Sequence, residues 1–260
     1  MITITYITVT YNAAAVLQRT LDSVMGQDYP HIRHLIVDGA STDETLQIVN
    51  NYVNYSNAAE NGHVVLVTSE PDNGIYDAMN KGLRSATGDY VCFLNAGDFL
   101  PTTDTVTRIV AALGSQLPAV LYGDTDIVDS EGHFLHHRRL SPPENLTWQS
   151  FRQGMLVCHQ AFYARADYAI ATPYDLRYRY SADVDWCIRI MKQAEKEGVP
   201  LLNLHSVVAN YTEEGQTTQH HRKSLLERYR VMQHHYGVLQ TFFLHCWFVV
   251  RAILKRWRKM

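Results

Sequence analysis

The chain has 260 residues, of which 46% are hydrophobic and 19% are charged, and its formal net charge at pH 7 is −3. A chain of this size and composition can bury one large α/β core or two smaller ones, and we expect one domain. Its four cysteines are widely separated and form no Cys-x-x-Cys pair, which excludes a disulfide framework and indicates reduced, structural residues of a cytosolic protein.

The first part of the chain alternates between strand-like and helix-like patterns. Runs rich in β-branched and apolar residues predict strands, and apolar residues at spacings of three and four predict helices. The sequence Ser41-x-x-Glu44 predicts a capping box at the start of the second helix. The predicted elements are a strand over 2–10, a helix over 13–27, a strand over 34–37, a helix over 42–53 and a strand over 64–68.

A tight turn followed by a third helix comes next in the chain. The residues of 70–74, including Asn73, are typical turn formers and predict a sharp bend with exposed backbone N–H groups. The helix begins at Ile75, which we place on its apolar stripe. Ala78 and Gly82 are small residues on the same stripe, so we expect this helix to pack closely on its neighbour.

Polar residues follow the short apolar run 90–94. This run has no period of two, which is typical of a central strand covered on both faces. It ends at Asn95, Ala96, Gly97 and Asp98. The small residues would allow a ligand to approach the backbone beside the carboxylate of Asp98.

Three of the predicted strand ends carry polar residues, at 10–12, at Asp38 and at 95–98. Because strands and helices alternate, the sheet should be mainly parallel, and right-handed crossovers would bring these ends to one edge. Open α/β sheets bind ligands at that edge. Capping of a neighbouring helix is the ordinary structural alternative for Asp38.

The second part of the chain has an α+β pattern. A polar segment over 210–219 then reads as a mobile loop near the ligand site. The predicted elements before it are a helix over 104–114, a strand over 119–124 followed by a Gly-Asp turn, a hairpin over 127–139, a helix over 181–197 and a strand over 201–209.

The segments SEPDNGIYDAMNKG and ATGDYVCFLNAGD closely resemble the corresponding run of family 2 inverting glycosyltransferases, especially those that build bacterial capsule, O-antigen and exopolysaccharide repeats. The resemblance implies a GT-A fold, an α/β architecture with a Rossmann-type, mainly parallel sheet. It divides a single domain over 1–219 into a nucleotide-sugar half, 1–98, and an acceptor half, 99–219.

The resemblance also implies roles for residues at the sheet edge. Thr10 and Tyr11 correspond to contacts with the nucleotide, and Asp38 corresponds to the carboxylate that reads its base or ribose. We place further donor-binding residues in the turn and after the fourth strand, at Asn73, Asn95 and Ala96.

Asp98 corresponds to the family's metal-binding carboxylate, which holds Mg²⁺ or Mn²⁺ on the sugar-nucleotide diphosphate. Asn95 and Gly97 stand where many relatives have carboxylates, so Asp98 is the only acidic candidate in this motif. Met79 replaces the Arg that is commoner in the preceding helix.

The acceptor half contains two further similar segments. His159 and Gln160 lie in a His-Gln segment found in these transferases and are predicted to bind the acceptor, although a buried core histidine is the ordinary alternative. The segment SADVDWCIRI resembles the family's Glu-Asp-x-Asp-Leu-Trp-x-Arg motif, so Asp183 corresponds to the catalytic base and Asp185 to an acceptor contact. Acidic residues at a helix start ordinarily interact with the helix dipole.

The end of the chain is basic and amphipathic. Residues 222–260 contain 9 Lys or Arg and 1 acidic residue, whereas the preceding residues contain 14 and 25. The predicted helix over 238–260 has a Trp- and Phe-rich face opposite a basic one, and its apolar run is too short to span a bilayer. We expect 220–260 to be an appendage that lies on an anionic membrane, with docking onto the domain or a homodimer partner as the alternative.

These features together predict a metal-dependent glycosyltransferase that moves a sugar from a nucleotide-sugar to a lipid-linked saccharide, peripherally bound to the inner face of the plasma membrane. No nucleic-acid partner and no signal peptide are expected. The alternatives are a sugar nucleotidyltransferase, although the first strand lacks the Gly-rich basic loop expected of one, and a non-catalytic nucleotide-sugar-binding adaptor. Neither a Gly-x-x-x-x-Gly-Lys nor a Gly-x-Gly-x-x-Gly motif follows a strand, which excludes P-loop and dinucleotide-binding proteins.

Overall fold

A computed structural model describes residues 1–213 and 221–257 of the chain. The strands are β1 (Ile4–Thr10), β2 (Ile32–Asp38), β3 (Val64–Ser69), β4 (Tyr90–Phe93), β5 (Val120–Val128), β6 (Phe134–His137), β7 (Phe162–Arg165) and β8 (Leu201–Thr212). The α-helices are α1 (Ala14–Met25), α2 (Thr45–Ala58), α3 (Ile75–Ser85), α4 (Thr105–Leu113), α5 (Ala166–Ala171), α6 (Ala182–Glu197), α7 (His221–Tyr236) and α8 (Val238–Trp257).

The strands form one 8-stranded mixed sheet in the order β3-β2-β1-β4-β7-β5-β6, with β8 paired to β5. Strands β1 to β4 pair in parallel with one another, and β8 pairs in parallel with β5. β7 lies between β4 and β5 and is antiparallel to both. The prediction of an α/β fold with a mainly parallel sheet is confirmed.

Helices cover both faces of the parallel part of the sheet. On one face, α1 and α2 bury Leu17 and Tyr52 against Ile36 of β2. On the other face, α3 packs so closely that a Cβ on Gly82 would lie 2.5 Å from the side chain of Ile7. The small residues predicted for the inward side of α3 are therefore required by close packing. One detail of that stripe is wrong, because Ile75 is 44% exposed and the neighbouring Tyr76 is buried instead.

The predicted capping box does not form. α2 begins at Thr45, three residues later than expected, and its N-cap Glu44 makes no side-chain cap bond. Ser41 instead donates both its hydroxyl and its backbone N–H to the carboxylate of Asp38. A tertiary partner has therefore outcompeted the local one.

The central strands of the second half are longer than predicted. β5 continues through the predicted Gly-Asp turn, where the pairing with β8 shifts in register between Tyr122 and Asp124. β8 likewise extends to Thr212, which pairs with Val128, so 210–212 is strand rather than loop. The hairpin prediction is confirmed by the antiparallel pairing of β5 with β6. The rest of the predicted mobile loop, 214–219, lies outside the described residues.

The two C-terminal helices differ in their contacts. α7 buries Val231 and Met232 in the core, and its Tyr236 stacks on Trp148 with ring centroids 5.5 Å apart. α8 packs on the core through Leu244 and Phe248, two apolar residues on the side of the helix that carries most of its polar residues. Its exposed apolar stripe consists of Leu239, Phe242, Phe243, Trp247 and Val250. Within the described ranges, no helix combines the length and apolar character needed to cross a membrane. Residues 258–260 of the predicted helix lie outside those ranges.

Candidate active site

The ends of β1 and β2 meet at Asp38. Thr10 pairs with Asp38 in the parallel register, and its hydroxyl donates to Asp38 Oδ1 at 3.0 Å. Ser69 at the end of β3 and Ser41 donate to the same carboxylate. Burial would raise the pKa of Asp38, but these hydrogen bonds outweigh it and hold the pKa below its usual value. Asp38 is thus a buried, ionised carboxylate at the end of β2 that accepts hydrogen bonds from the last residues of β1 and β3.

The hydrogen-bonding capacity of Asp38 is already full. A carboxylate offers about four lone-pair sites, and the hydroxyls of Thr10, Ser41 and Ser69 together with the Ser41 N–H fill them. A nucleotide that hydrogen-bonds to Asp38 must displace one of these donors. The contact with base or ribose remains a prediction, and the structure adds this requirement to it.

An exposed aromatic ring lies close to Asp38. Tyr11 is 65% exposed, although it follows the fully buried β1. Its ring borders Gly39, where an added Cβ would collide with the carboxylate of Asp72. The ring of Tyr11 is therefore accessible from solvent, and the lack of a side chain at Gly39 leaves room for the carboxylate of Asp72.

The turn at 70–74 differs from the expectation of exposed N–H groups. The backbone N–H of Asn73 donates to Asp77 at 3.0 Å, and the N–H of Gly74 donates to Asp72 at 2.8 Å. These donors are occupied by neighbouring carboxylates, which would also repel a diphosphate. The expectation of free N–H groups was wrong for these two residues, and donor binding by Asn73 remains a prediction.

Asp98 is held in a buried site at the end of β4. Gln160 Nε2 donates to one of its oxygens at 2.7 Å, and the backbone N–H of Thr212 donates to the other at 3.2 Å. Burial raises the pKa of Asp98 to about 6, against the lowering effects of these two hydrogen bonds and the charge of His159. The preceding Gly97 has a φ of 100°, a conformation that favours glycine.

A chain of polar contacts joins β4 to the start of α6. The amide nitrogen of Asn95 donates to His159 Nε2 at 3.0 Å. An imidazole that accepts at Nε2 carries its proton on Nδ1, and that atom lies 3.5 Å from Asp183 Oδ2. The hydroxyl of Tyr76 donates to the other Asp183 oxygen at 3.1 Å. The structure therefore brings Asn95, His159 and Asp183 together, and their predicted roles remain predictions.

The carboxylate of Asp183 is ionised and partly accessible. Burial would raise its pKa, but the hydrogen bond and charge of His159 and the positive charge of Arg228 hold the pKa below its usual value. Its side chain is 16% exposed, so an incoming hydroxyl can reach it. The Asp183 carboxylate is therefore ionised at neutral pH and accessible from solvent.

Two predicted acceptor contacts have other partners. Gln160 is buried and points to Asp98. Asp185 is also buried, with one oxygen 2.7 Å from Arg189 Nε and the other 2.8 Å from His235 Nε2. An acceptor contact by either residue remains a prediction that needs these bonds to open. His159 is the predicted acceptor residue that lies directly beside Asp183.

The sequence patterns missed two participants in the site. Tyr76 was not singled out, although a tyrosine beside an apolar stripe is a signal for a buried hydroxyl with a partner. Thr212, which holds Asp98 through its N–H and Gly97 through its hydroxyl, carried no signal because it lay in a predicted loop.

The residues near Asp98 fit a divalent cation that takes most of its ligands from substrate and water. Asn95 Oδ1 is buried and has no hydrogen-bond partner among the described residues, so the segment 95–98 offers one unsatisfied carbonyl oxygen as well as the Asp98 carboxylate. Mg²⁺ and Mn²⁺ prefer such oxygens, and Mg²⁺ commonly uses one or two carboxylates with substrate phosphates. In 1–213 and 221–257, no group of three His, Cys, Asp or Glu side chains could hold a metal by itself.

Sequence comparisons identify relatives over most of the chain. Residues 5–170 match the family described as "Glycosyl transferase family 2". A PGL/p-HBAD biosynthesis glycosyltransferase of Mycobacterium bovis is 37% identical over 208 residues, which are 79% of this chain and 75% of that protein. An uncharacterized glycosyltransferase of Mycobacterium tuberculosis is 33% identical over 193 residues, 72% of this chain and 68% of that protein.

Solved structures share the fold at low sequence identity. The S. aureus TarS fragment 1–349 in complex with UDP-GlcNAc has a TM-score of 0.68 and 19% identity, over 89% of this chain and 64% of that one. The mannosyltransferase PcManGT from Pyrobaculum calidifontis, in complex with GDP-Man and Mn²⁺, has a TM-score of 0.60 and 19% identity, over 87% of this chain and 63% of that one. This chain thus spans just under two thirds of each solved chain. With the mixed sheet described above, these matches show that the chain belongs to glycosyl transferase family 2 and has the fold of GT-A glycosyltransferases.

Proposed function

We propose that this protein is an inverting, metal-dependent glycosyltransferase in which Asp183 is the general base. The observation that carries the proposal is the arrangement around Asp183, an ionised and partly exposed carboxylate held between His159 and Tyr76. Its partner His159 is followed in the chain by Gln160, which donates to Asp98, the proposed diphosphate end of the site. A base for the acceptor and a site for the leaving group therefore lie in one contact network.

The chemistry is a single displacement. Asp183 takes the proton of an acceptor hydroxyl while that oxygen forms a bond to the anomeric carbon of the donor sugar. The bond from the anomeric carbon to the diphosphate oxygen breaks, and its electron pair leaves with the nucleoside diphosphate. Attack from the face opposite the leaving group inverts the anomeric centre. Tyr76 and His159 orient the carboxylate for this transfer.

We assign the donor to the edge formed by β1, β2 and β4. Tyr11 stacks on the base, Thr10 and Asp38 bind the nucleoside, and Asn95 and Ala96 line the path to the sugar. Asp98 would hold Mg²⁺ or Mn²⁺, together with Oδ1 of Asn95, which is unpaired within 1–213 and 221–257. When bound, that cation would offset the charge of the departing diphosphate. The support from solved neighbours is that TarS binds UDP-GlcNAc and PcManGT binds GDP-Man with Mn²⁺.

We further propose a lipid-linked saccharide acceptor on the inner face of the plasma membrane, in bacterial surface polysaccharide or glycolipid synthesis. The M. bovis relative is named for PGL/p-HBAD biosynthesis. The exposed apolar stripe of α8 supports membrane association, because α8 is docked by its other face and leaves Phe243 and Trp247 uncovered. In this proposal residues 1–98 bind donor, 99–219 face the acceptor, and 220–260 contact the membrane, with a homodimer as the competing use of the stripe.

The test is a transfer assay with UDP-, GDP- and dTDP-sugars, Mn²⁺ and a lipid-linked saccharide extract in detergent. Single-turnover transfer of radiolabel from one donor class, with an inverted anomeric centre by NMR, is expected. Pyrophosphate-dependent formation of nucleotide-sugar would indicate a nucleotidyltransferase instead. Saturable donor binding with no turnover under any condition would indicate an adaptor and overturn the proposal.

A further inference from the structure

The segment immediately before the proposed base is held by a residue from the C-terminal part of the chain. The carboxylate of Glu227 in α7 accepts three consecutive backbone N–H groups, from Arg179 at 2.7 Å, Tyr180 at 2.5 Å and Ser181 at 2.7 Å. Three successive N–H groups around one carboxylate form an anion-binding nest. Hydrogen bonds to a charged acceptor are the stronger ones, so this is a firm anchor.

The anchor replaces a missing local cap. Ser181 is the N-cap of α6, but its side chain makes no cap bond to that helix. Its hydroxyl donates instead to the backbone oxygen of Ser224, also in α7. The negative charge of Glu227 lies at the N-terminus of α6, where the helix dipole favours it. The start of α6 is thus fixed by α7 rather than by its own sequence.

A second contact from α7 reaches α6 on the other side of the base. His235 Nε2 lies 2.8 Å from Asp185 Oδ1, and both side chains are almost fully buried. Asp183 therefore lies between two points at which α7 holds α6, the Glu227 nest at 179–181 and the His235–Asp185 pair. Since Asp183 follows Ser181 by two residues, a shift of the nest would displace the carboxylate.

We propose that Glu227 is a positioning residue for Asp183, and that α7 is consequently required for transfer although it supplies no proton acceptor. This inference rests on the proposed function of Asp183 as base. Glu227 holds the backbone, so its loss should affect the rate of the chemical step and leave the donor edge, built by β1, β2 and β4, unchanged. A misplacement of about 1 Å in a catalytic group can cost roughly 100-fold in rate.

The experiment compares Glu227→Gln with Glu144→Gln in the full chain, since Glu144 is exposed and far from α6 in sequence. In Glu227→Gln, kcat should fall by roughly 10- to 100-fold with donor Kd unchanged, and Glu144→Gln should match wild type. Hydrogen exchange of the amides of 179–181 should accelerate only in Glu227→Gln. A wild-type kcat in folded Glu227→Gln, or a parallel loss of donor binding, would overturn the inference.

Two further measurements keep the test decisive. If Glu227→Gln does not fold, Glu227→Asp keeps the charge but shortens the reach, and it should show the same split between kcat and donor Kd. In the wild-type protein, the amides of 179–181 should be protected from exchange, and fast exchange there would contradict the nest. Hydrogen exchange can be measured without any enzymatic activity. Protected amides in a protein that transfers no sugar would therefore contradict the proposed function but not the contact of Glu227 with 179–181.

Discussion

His159 Nδ1 lies 3.5 Å from the carboxylate of Asp183, and together with the Asn95–His159 hydrogen bond this pair joins the end of β4 to the start of α6. The other ring nitrogen of His159 is fixed by the Asn95 amide, so the imidazole cannot turn freely. The orientation of the proposed base therefore depends on a residue that lies in a different segment of the chain and beside the donor edge.

The first prediction concerns the pH dependence that this pair produces. His159 holds the pKa of Asp183 below its usual value, so replacing His159 by Ala should let burial raise that pKa. The base must be ionised, and activity is lost as the pH falls through its pKa. The acid limb of the kcat profile, measured from about pH 3 to 8.5, should thus move to higher pH in His159→Ala. The exposed His137→Ala is the control, and an unmoved limb would refute the coupling.

The second prediction is that Asp183→Asn reduces transfer by roughly 10²- to 10⁴-fold, the usual contribution of a general base. Donor affinity should stay nearly intact because Asp183 lies on α6 and not on the donor edge. Stopped-flow single turnover and calorimetry with nucleotide-sugar measure the two quantities. Asp167→Asn, a change at an exposed carboxylate, provides the comparison. Loss of donor binding alongside activity would make Asp183 structural.

The third prediction is that Asp98→Ala abolishes the dependence of donor binding on Mn²⁺. Asn95 and Gly97 offer no carboxylate that could substitute. Nucleotide titrations with Mn²⁺ and with EDTA should differ in wild type and coincide in the variant, whereas Asp104→Ala, at an exposed site, should behave as wild type. If Mn²⁺ still tightens binding in Asp98→Ala, another residue holds the cation.

The fourth prediction is that Asp98→Asn stabilises the protein more at pH 7.5 than at pH 4.5. The native pKa of Asp98 is about 6 and that of a free carboxyl is about 3.9, so between these values the native state binds the extra proton. The contribution of Asp98 to the free energy of unfolding therefore falls as the pH rises from about 4 to about 6. Asn does not titrate, so the variant does not lose this stability. The change is about 2 kcal/mol, or roughly 4–8 °C in Tm. Thermal melts in EDTA test it, and an equal effect at both pH values would contradict it.

The fifth prediction concerns the exposed stripe of α8. Phe243→Ser combined with Trp247→Ser should weaken co-sedimentation with vesicles containing phosphatidylserine, and added salt should weaken wild-type binding, since each nearby Lys or Arg contributes about 1 kcal/mol. Leu226→Ser, an exposed change on α7, is the matched control. Deleting 238–260 should also release the protein, but it uncovers the core surface beneath Leu244. Unchanged vesicle binding, with dimer loss in ultracentrifugation, would assign the stripe to a second copy.

Local hydrophobic patterns predicted much of the sheet. Short motifs singled out Asp98 and Asp183 as candidate site residues. Their partners could not be predicted. Gln160 is 62 residues from Asp98 and Tyr76 is 107 residues from Asp183 along the chain, and no local pattern encodes such pairs.

The failures of local rules have the same origin. Ser41 has the right spacing for a capping box, yet its hydroxyl binds Asp38 because a buried carboxylate is the stronger acceptor. The sequence also could not predict which side of α8 packs on the core. Both sides of this helix carry apolar residues, so the surface beneath the helix decides its orientation. Here Leu244 meets the core and Phe243 does not.

The antiparallel strand β7 has a mechanical consequence. β7 hydrogen-bonds to β4 on one side and to β5 on the other, so the strands that lead to Asp38 and Asp98 belong to the same continuous sheet as the strands of the second half. Swinging one half against the other as rigid bodies would break this sheet. We therefore expect substrate entry and product release to involve loops and side chains at the edge of the sheet and not a hinge between the two halves. Gln160 precedes β7 by two residues and should stay fixed with the sheet.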